Sequence, residues 1–440
     1  MKSDAVLNFL KTNRNILLVV VAVAGILTGS IVLNIARSNN PNSSTRPYSN
    51  TDQLIQIGRS RLAADPGNPS RYVSLCQLYL QKVRENADTS LYEKCDSLLG
   101  KATGLDTANA DIAATQASVA YGRHSFREGL ELSKKALQLN PLPVAYWGLV
   151  GDGQIELGQY NEAVQSFQTM VDKKPELSSF NRVAYVREVY GDIAGAKSAL
   201  GAAISAGSSF PENVAFSQVE LGKLHARSDL DKAERTYKEA LQTYPSYPPA
   251  LEGLGRVAFA RGDHKEAIKY FSQAFEILPL AQYVSALGDV YTGKGDKKKA
   301  SQQYFLAQLA FDKSSSGGVN NDFELSTFLS ERNKDPKKSL ELAQAAFAVR
   351  PNIFSADALS WAHYRLGNYT EAQAASREAM KLGEHQAVVL YHAGMIADKL
   401  GQKEQADKYL KKAFGLDKYF LESHFSILDR QVAKEALERL

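Results

Sequence analysis

The side chains able to do chemistry are few and scattered. Two cysteines and seven histidines stand in 440 residues, and their spacings match no zinc or iron–sulfur ligand set. There is no P-loop, no GxGxxG following a strand and no HExxH. Gly151-Asp152-Gly153 lies inside a helical stretch and does not read as a phosphate cradle. His385 and His392, seven residues apart on one helical region, read as packed or solvated rather than as a metal pair. His225 and His363 read as core residues with one satisfied hydrogen bond. No catalytic constellation, cofactor site or metal site is expected, so the chain is not read as an enzyme. Cys76 and Cys95 lie 11 residues before and 8 after a turn near Ala87, at similar heights on two antiparallel helices. They are either a disulfide across the hairpin or two buried thiols. A bridge would place the region in an oxidising compartment.

The rest of the composition fits a folded body: 44% hydrophobic, 23% charged, with a formal net charge of +4. That balance excludes wholesale disorder and argues against a dedicated nucleic-acid binder. Residues 1–15 form a short tail. Ile16 to Ala36 then reads ILLVVVAVAGILTGSIVLNIA, 21 residues without a charge. A helix needs about 20 residues to cross the ~30 Å hydrocarbon core, so a transmembrane signal anchor is expected at 16–36. A cleaved signal peptide has a shorter apolar region, ~7–15 residues, ending in a small-x-small site. Thr28-Gly29-Ser30 is a poor site of that kind, and Asn34-Ile35-Ala36 lacks a small first residue. Lys2, Lys11 and Arg14 precede the span and Arg37 and Arg46 follow it. This bias places the amino terminus in the cytoplasm and the remainder on the periplasmic or extracellular side. Residues 37–50, rich in Asn, Ser and Pro, read as a flexible linker with a typical reach of about 20 Å.

Everything beyond the linker is organised by one period. A Gly followed by a polar residue, with Ala five positions after the Gly, recurs at Gly158/Ala163, Gly191/Ala196, Gly262/Ala267, Gly295/Ala300, Gly367/Ala372 and Gly401/Ala406. Neighbouring copies are 33 or 34 residues apart, and two longer steps of 71 and 72 each skip one degenerate copy. Gly ends one helix in a left-handed turn, the polar residue caps the next, and the small Ala lets the second helix approach the first. A large residue follows four positions later, as in Ala163-Phe167-Met170, Ala233-Tyr237-Ala240 and Ala267-Phe271-Ala274. Pro141, Pro175, Pro245, Pro279 and Pro351 stop the second helices.

These features resemble the tetratricopeptide repeat (TPR). Its first-helix signature is present in pieces: Trp147 with Val150-Gly151, Leu221-Gly222 with His225, Leu254-Gly255 with Ala258, and Leu287-Gly288 with Tyr291. The resemblance covers about 70–440. It implies an all-α, right-handed α-solenoid of helix-turn-helix units. They are read at 70–105, 110–141, 144–175, 177–208, 214–245, 248–279, 281–312, 320–351, 353–384 and 387–418. Thr51–Ala64 reads as a lead-in helix and 419–440 as a capping helix. Ser314-Ser315-Ser316-Gly317-Gly318 reads as a loose junction, 313–319, between a first block, 51–312, and a second, 320–418.

The resemblance also implies a concave groove lined by the first helix of each unit, which takes a protein or peptide. Helical spacing assigns Ala356, Leu359, Ser360 and His363 to the packing stripe, leaving Asp357, Trp361, Tyr364 and Arg365 for the groove. By the same reasoning Tyr391, Met395, Asp398, Lys399, Phe328, Arg332, Arg182, Tyr185, Arg256 and Phe259 face it. The candidate anchors are Trp361, Tyr364, Arg365, Tyr391, Met395, Phe328, Arg332, Arg256 and Tyr185, because aromatic and Arg side chains dominate protein interfaces. The expected function is a membrane-anchored scaffold for assembly or secretion in the cell envelope. The expected partners are a polypeptide in the groove and the bilayer through 16–36, with no nucleic acid; self-association stays open. A second reading is a cytosol-facing import or co-chaperone receptor that grips a carboxylate with Lys82 and Asn86, and Lys223 and Arg227.

Overall fold

The computed structural model describes residues 51–423 together with Val432, Lys434, Glu435 and Glu438. The apolar span 16–36, the linker 37–50 and most of the expected capping helix lie outside these residues. Among the described residues every regular element is a helix, and none is long and apolar enough to cross a membrane.

A first helix, α1 (Thr51–Ala64), precedes a run of helical pairs. The first pairs are α2 (Pro69–Asn86) with α3 (Ser90–Leu105), α4 (Ala110–Gly122) with α5 (Phe126–Leu139), and α6 (Val144–Glu156) with α7 (Tyr160–Lys173). Then come α8 (Leu177–Val189), α9 (Ile193–Ala206), α10 (Pro211–Ala226), α11 (Leu230–Thr243), α12 (Pro248–Ala260) and α13 (His264–Ile277). They are followed by α14 (Ala281–Gly293), α15 (Lys297–Ser316), α16 (Asp322–Glu331), α17 (Pro336–Val349), α18 (Ile353–Arg365) and α19 (Tyr369–Ala379). The last are α20 (Ala387–Lys399), α21 (Lys403–Leu416) and the short α22 (Phe420–Ser423).

The local reasons are visible at the helix ends. Asn68 accepts from the Ser70 amide ahead of Pro69, and Asn352 accepts from Phe354 and Ser355. The turns use left-handed backbone, as at Gly262 (φ 78°), and where Gly is missing His124 (φ 63°) and Asn333 (φ 47°) take its place. The small–large pattern explains the close pairing. A β-carbon on Gly151 would lie 2.3 Å from the Phe167 ring, and one on Gly288 equally close to Tyr304. Ala163, Ala267 and Ala406 are wholly buried at the facing positions.

The junction expected at 313–319 is shorter. Ser314, Ser315 and Ser316 continue α15, which is 20 residues long where α13 and α17 have 14. Serine is only a weak helix-breaker, and the chain leaves the helix at Gly317, just before Gly318 (φ 82°).

The chain forms two compact units that interleave along the sequence. The first takes the chain up to Glu188 with Ala194–Ser217 and Ser316–Asn320; the second takes Val189–Ile193, Gln218–Ser315 and Asn321 onward. In the first unit, segments far apart in sequence meet. Arg84, in the last turn of α2, donates to Glu212 (2.8 Å) and Asn213 (2.9 Å) at the start of α10. Phe210 and Val319 join the core built by α2 and α3, and the Asn320 amide donates to the Arg123 carbonyl (3.1 Å). Cys76 and Cys95 are joined in a disulfide, both fully buried, with Cα atoms 4.9 Å apart. In the second unit α22 packs on α12, and the Lys418 amide donates to the Arg227 carbonyl (2.8 Å). His385 lies against Gly191, where a β-carbon would sit 2.6 Å from its Nδ1.

Candidate functional site

The first helices of the pairs carry the polar residues that sequence spacing aimed at a groove. In the first unit they are paired inside the body. Asp152 on α6 receives both Nε (2.8 Å) and Nη2 (2.5 Å) of Arg182 on α8, and both side chains are buried. The Gly-Asp-Gly run reads here as a packing device: Gly151 and Gly153 admit the Phe167 and Tyr121 rings, and Asp152 anchors the next pair. Burial pushes the Asp152 carboxyl upward, against the opposing pull of Arg182. Tyr185 lies half-buried on α8.

In the second unit the expected anchors are brought together, but into the core. Trp361, Tyr364, Tyr391 and Met395 belong to one apolar cluster with Leu410 and Phe420. Only 2% of Trp361 is exposed. Its ring stacks between Tyr364 (4.4 Å between centroids) and His392 (4.0 Å). Arg365 lies 4.6 Å over the same ring and donates to the Ser330 carbonyl (2.6 Å), tying α18 to α16. His392 in turn contacts both carboxylate oxygens of Asp357 at 3.0 Å. The expectation that Trp361, Tyr364, Tyr391 and Met395 line an open groove is therefore corrected. Neighbouring pairs and α22 cover that stripe, because large aromatic rings gain more by excluding water than by facing it.

Phe328 and Arg332 need the same correction. Phe328 is buried against Tyr304 and Phe311. Arg332 pairs with Asp289 of α14 through Nε (3.1 Å) and Nη2 (2.7 Å) and lies 4.8 Å over the Phe328 ring. Tyr304 donates to the same Asp289 (2.8 Å). Burial raises the Glu331 carboxyl beside this cluster, and burial lowers the Lys334 amine.

Arg256 differs: 39% of its side chain is exposed. It donates to Glu252 from Nε (2.9 Å) and Nη2 (2.6 Å), and the exposed Gln282 of α14 donates to the same carboxylate (3.1 Å). In this small polar patch one arginine of the expected anchor set keeps part of its side chain at the surface. Sequence reasoning missed the acidic partners Asp289, Glu252 and Glu331. For Asp289 and Glu252 the signal was a carboxylate inside an otherwise buried helix, whereas Glu331 closes α16. The lysines proposed to clamp a carboxylate are engaged within the chain: Lys82 by Asp52 (2.7 Å) and Glu85 (3.6 Å), Lys223 by Glu220 (2.7 Å).

Profiles of the tetratricopeptide repeat match residues 224–282 and 387–420. The Protein CTR9 homolog of Arabidopsis thaliana is 25% identical over 305 residues, covering 59% of this chain and 26% of that protein. The TPR repeat-containing protein YpiA of Bacillus subtilis is 24% identical over 237 residues, covering 46% of this chain and 56% of its own. The chain thus spans about a quarter and about half of these relatives. Among solved structures, a tetratricopeptide repeat protein from Parabacteroides merdae is 18% identical, covering 62% of this chain and 98% of that one, with a TM-score of 0.34. The matched profiles, the paired helices and the Gly–Ala period together identify tetratricopeptide repeats in this chain.

Proposed function

We propose that this protein is a scaffold that holds other polypeptides at a membrane. Residues 16–36 anchor it, the amino terminus stays in the cytoplasm, and the repeats work on the far side as an assembly or secretion accessory of the cell envelope. The observation that carries this reading is the buried Cys76–Cys95 disulfide within a repeat body, since disulfides persist in oxidising compartments. The charge-free run ahead of the repeats supports it independently. Partner contact falls on the polar patch of Arg256, Glu252 and Gln282 rather than on the enclosed aromatic rings. The internal engagement of Lys82 and Lys223 weighs against the cytosol-facing carboxylate receptor.

The test uses the full chain in its own membranes. Carbonate extraction leaves it in the pellet, externally added protease reaches the repeats in spheroplasts, and unreduced mass analysis finds no free thiol. A photo-crosslinker at position 282 then captures a discrete partner, and Arg256→Ala removes that adduct while leaving the melting temperature unchanged. Two free thiols together with a carbonate-soluble chain would sink the reading.

A further inference from the structure

The outer face of α15 differs from the corresponding faces of α11 and α13, the second helices of the two preceding pairs. Aligned on the buried aromatic of each pair (Tyr237, Phe271, Tyr304), the next two positions and the one after a further turn are solvent-facing. They hold Lys238, Glu239 and Gln242 on α11, and Ser272, Gln273 and Glu276 on α13. On α15 the same positions hold Phe305, Leu306 and Leu309, which are 64%, 37% and 46% exposed. Phe305 and Leu309 are one turn apart, so the three side chains form one patch. The helix also begins with Lys297, Lys298 and Lys299, all exposed, following exposed Lys294. Lys299 pairs with Asp296 (3.4 Å), but Lys297 and Lys298 are cations in a first turn that oppose the helix dipole, so local helix stability does not account for those two.

We propose that this face docks on the surface of a phospholipid bilayer carrying anionic headgroups, with Phe305, Leu306 and Leu309 entering the interface and the lysines meeting the phosphates. A face combining apolar side chains with adjacent lysines has the chemistry of an interfacial helix. Three apolar residues bind lipid weakly on their own. A linker of about 14 residues keeps the whole chain at high effective concentration near its membrane, so weak docking suffices. The inference rests on the reading of 16–36 as an anchor, and it assigns a lipid contact that this anchor does not itself supply.

The experiment places a nitroxide on the exposed, same-face position 302 of the full chain (Gln302→Cys). Because Cys76 and Cys95 are bonded to each other, the introduced thiol is the labelling site. The labelled chain is reconstituted into phosphatidylcholine vesicles with or without phosphatidylglycerol. Flotation reports the anchor, and collision with a water-soluble nickel relaxant reports the patch. The expected result is flotation in both vesicles, with a several-fold loss of nickel access only where phosphatidylglycerol is present. High salt, Phe305→Ser with Leu309→Ser, or Lys297→Glu with Lys298→Glu restores that access. Flotation with undiminished nickel access overturns the docking and leaves the anchor standing. Shielding already present in detergent, with elution as a dimer, overturns it in favour of a second copy on the patch. Flotation that survives deletion of 16–36 but is lost with the serine pair keeps the docking and removes the anchor. Failure to float in either vesicle overturns both.

Discussion

The two units spend their interiors differently. The first holds two buried ion pairs, Asp152–Arg182 and Arg84–Glu212. The carboxy-terminal part of the second is built on stacked rings, with Trp361 between Tyr364 and His392. Both solutions fill the space between first helices, yet their energetics are opposite in kind. Rings contribute through excluded water and dispersion. A buried ion pair contributes little net energy, and each half is costly without the other.

That contrast is sharpest under paired substitutions, read as chemical denaturation midpoints. Arg182→Ala leaves a buried carboxylate alone and destabilises by about 4 kcal/mol. Replacing both partners by apolar residues of similar size, Asp152→Leu with Arg182→Met, recovers most of that loss. Trp361→Ala costs a similar ~3–5 kcal/mol, and no second substitution at His392 restores it. If the double variant in the first unit stays as unstable as the single one, the contrast is wrong.

A somewhat smaller effect belongs to the disulfide. Reduction, or Cys76→Ser with Cys95→Ser, opens a loop with a sequence separation of 19. It lowers stability by about 3 kcal/mol, seen as a lower melting temperature in calorimetry. The first unit should bear this loss and the second should not, which amide hydrogen exchange resolves.

The smallest effect is a pH dependence confined to the second unit. Burial lifts the Asp417 carboxyl to about 6, although the Tyr419 amide donating to it (2.9 Å) pulls the other way. A raised folded-state value means that the folded chain binds this proton more tightly than the unfolded chain. The contribution is present below pH ~4 and is lost as pH rises through about 6, amounting to at most about 3 kcal/mol. Asp417→Asn removes this slope relative to the parent across pH 4 to 7 in denaturant titrations. An unchanged slope refutes the assignment.

The helical pairs were legible because their code is local. Gly262 and Ala267, or Gly401 and Ala406, specify turn and close approach within a few residues of themselves. The fate of Trp361 was not legible in the same way. Helical spacing correctly separated it from Ala356 and Ser360, but whether its own stripe meets water depends on α20 and on Phe420, which arrive much later in the chain. The same holds for Arg332, whose partner Asp289 lies 43 residues earlier. Ser314 to Ser316 differ for another reason: their composition is that of a loop, yet the helix continues to the next glycine. Phe305, Leu306 and Leu309 are readable from an alignment of this helix with α11 and α13, which carry polar residues at the same positions.

The reach of Arg84 from α2 to α10 spans 128 residues. In an open stack each hairpin touches only its neighbours, so stability is a sum that shrinks gradually as end hairpins are trimmed. Here the opening hairpin and a helix four hairpins later complete one another. The first unit therefore cannot be peeled hairpin by hairpin: truncation should abolish its cooperative transition outright, and its high contact order should make it assemble slowly.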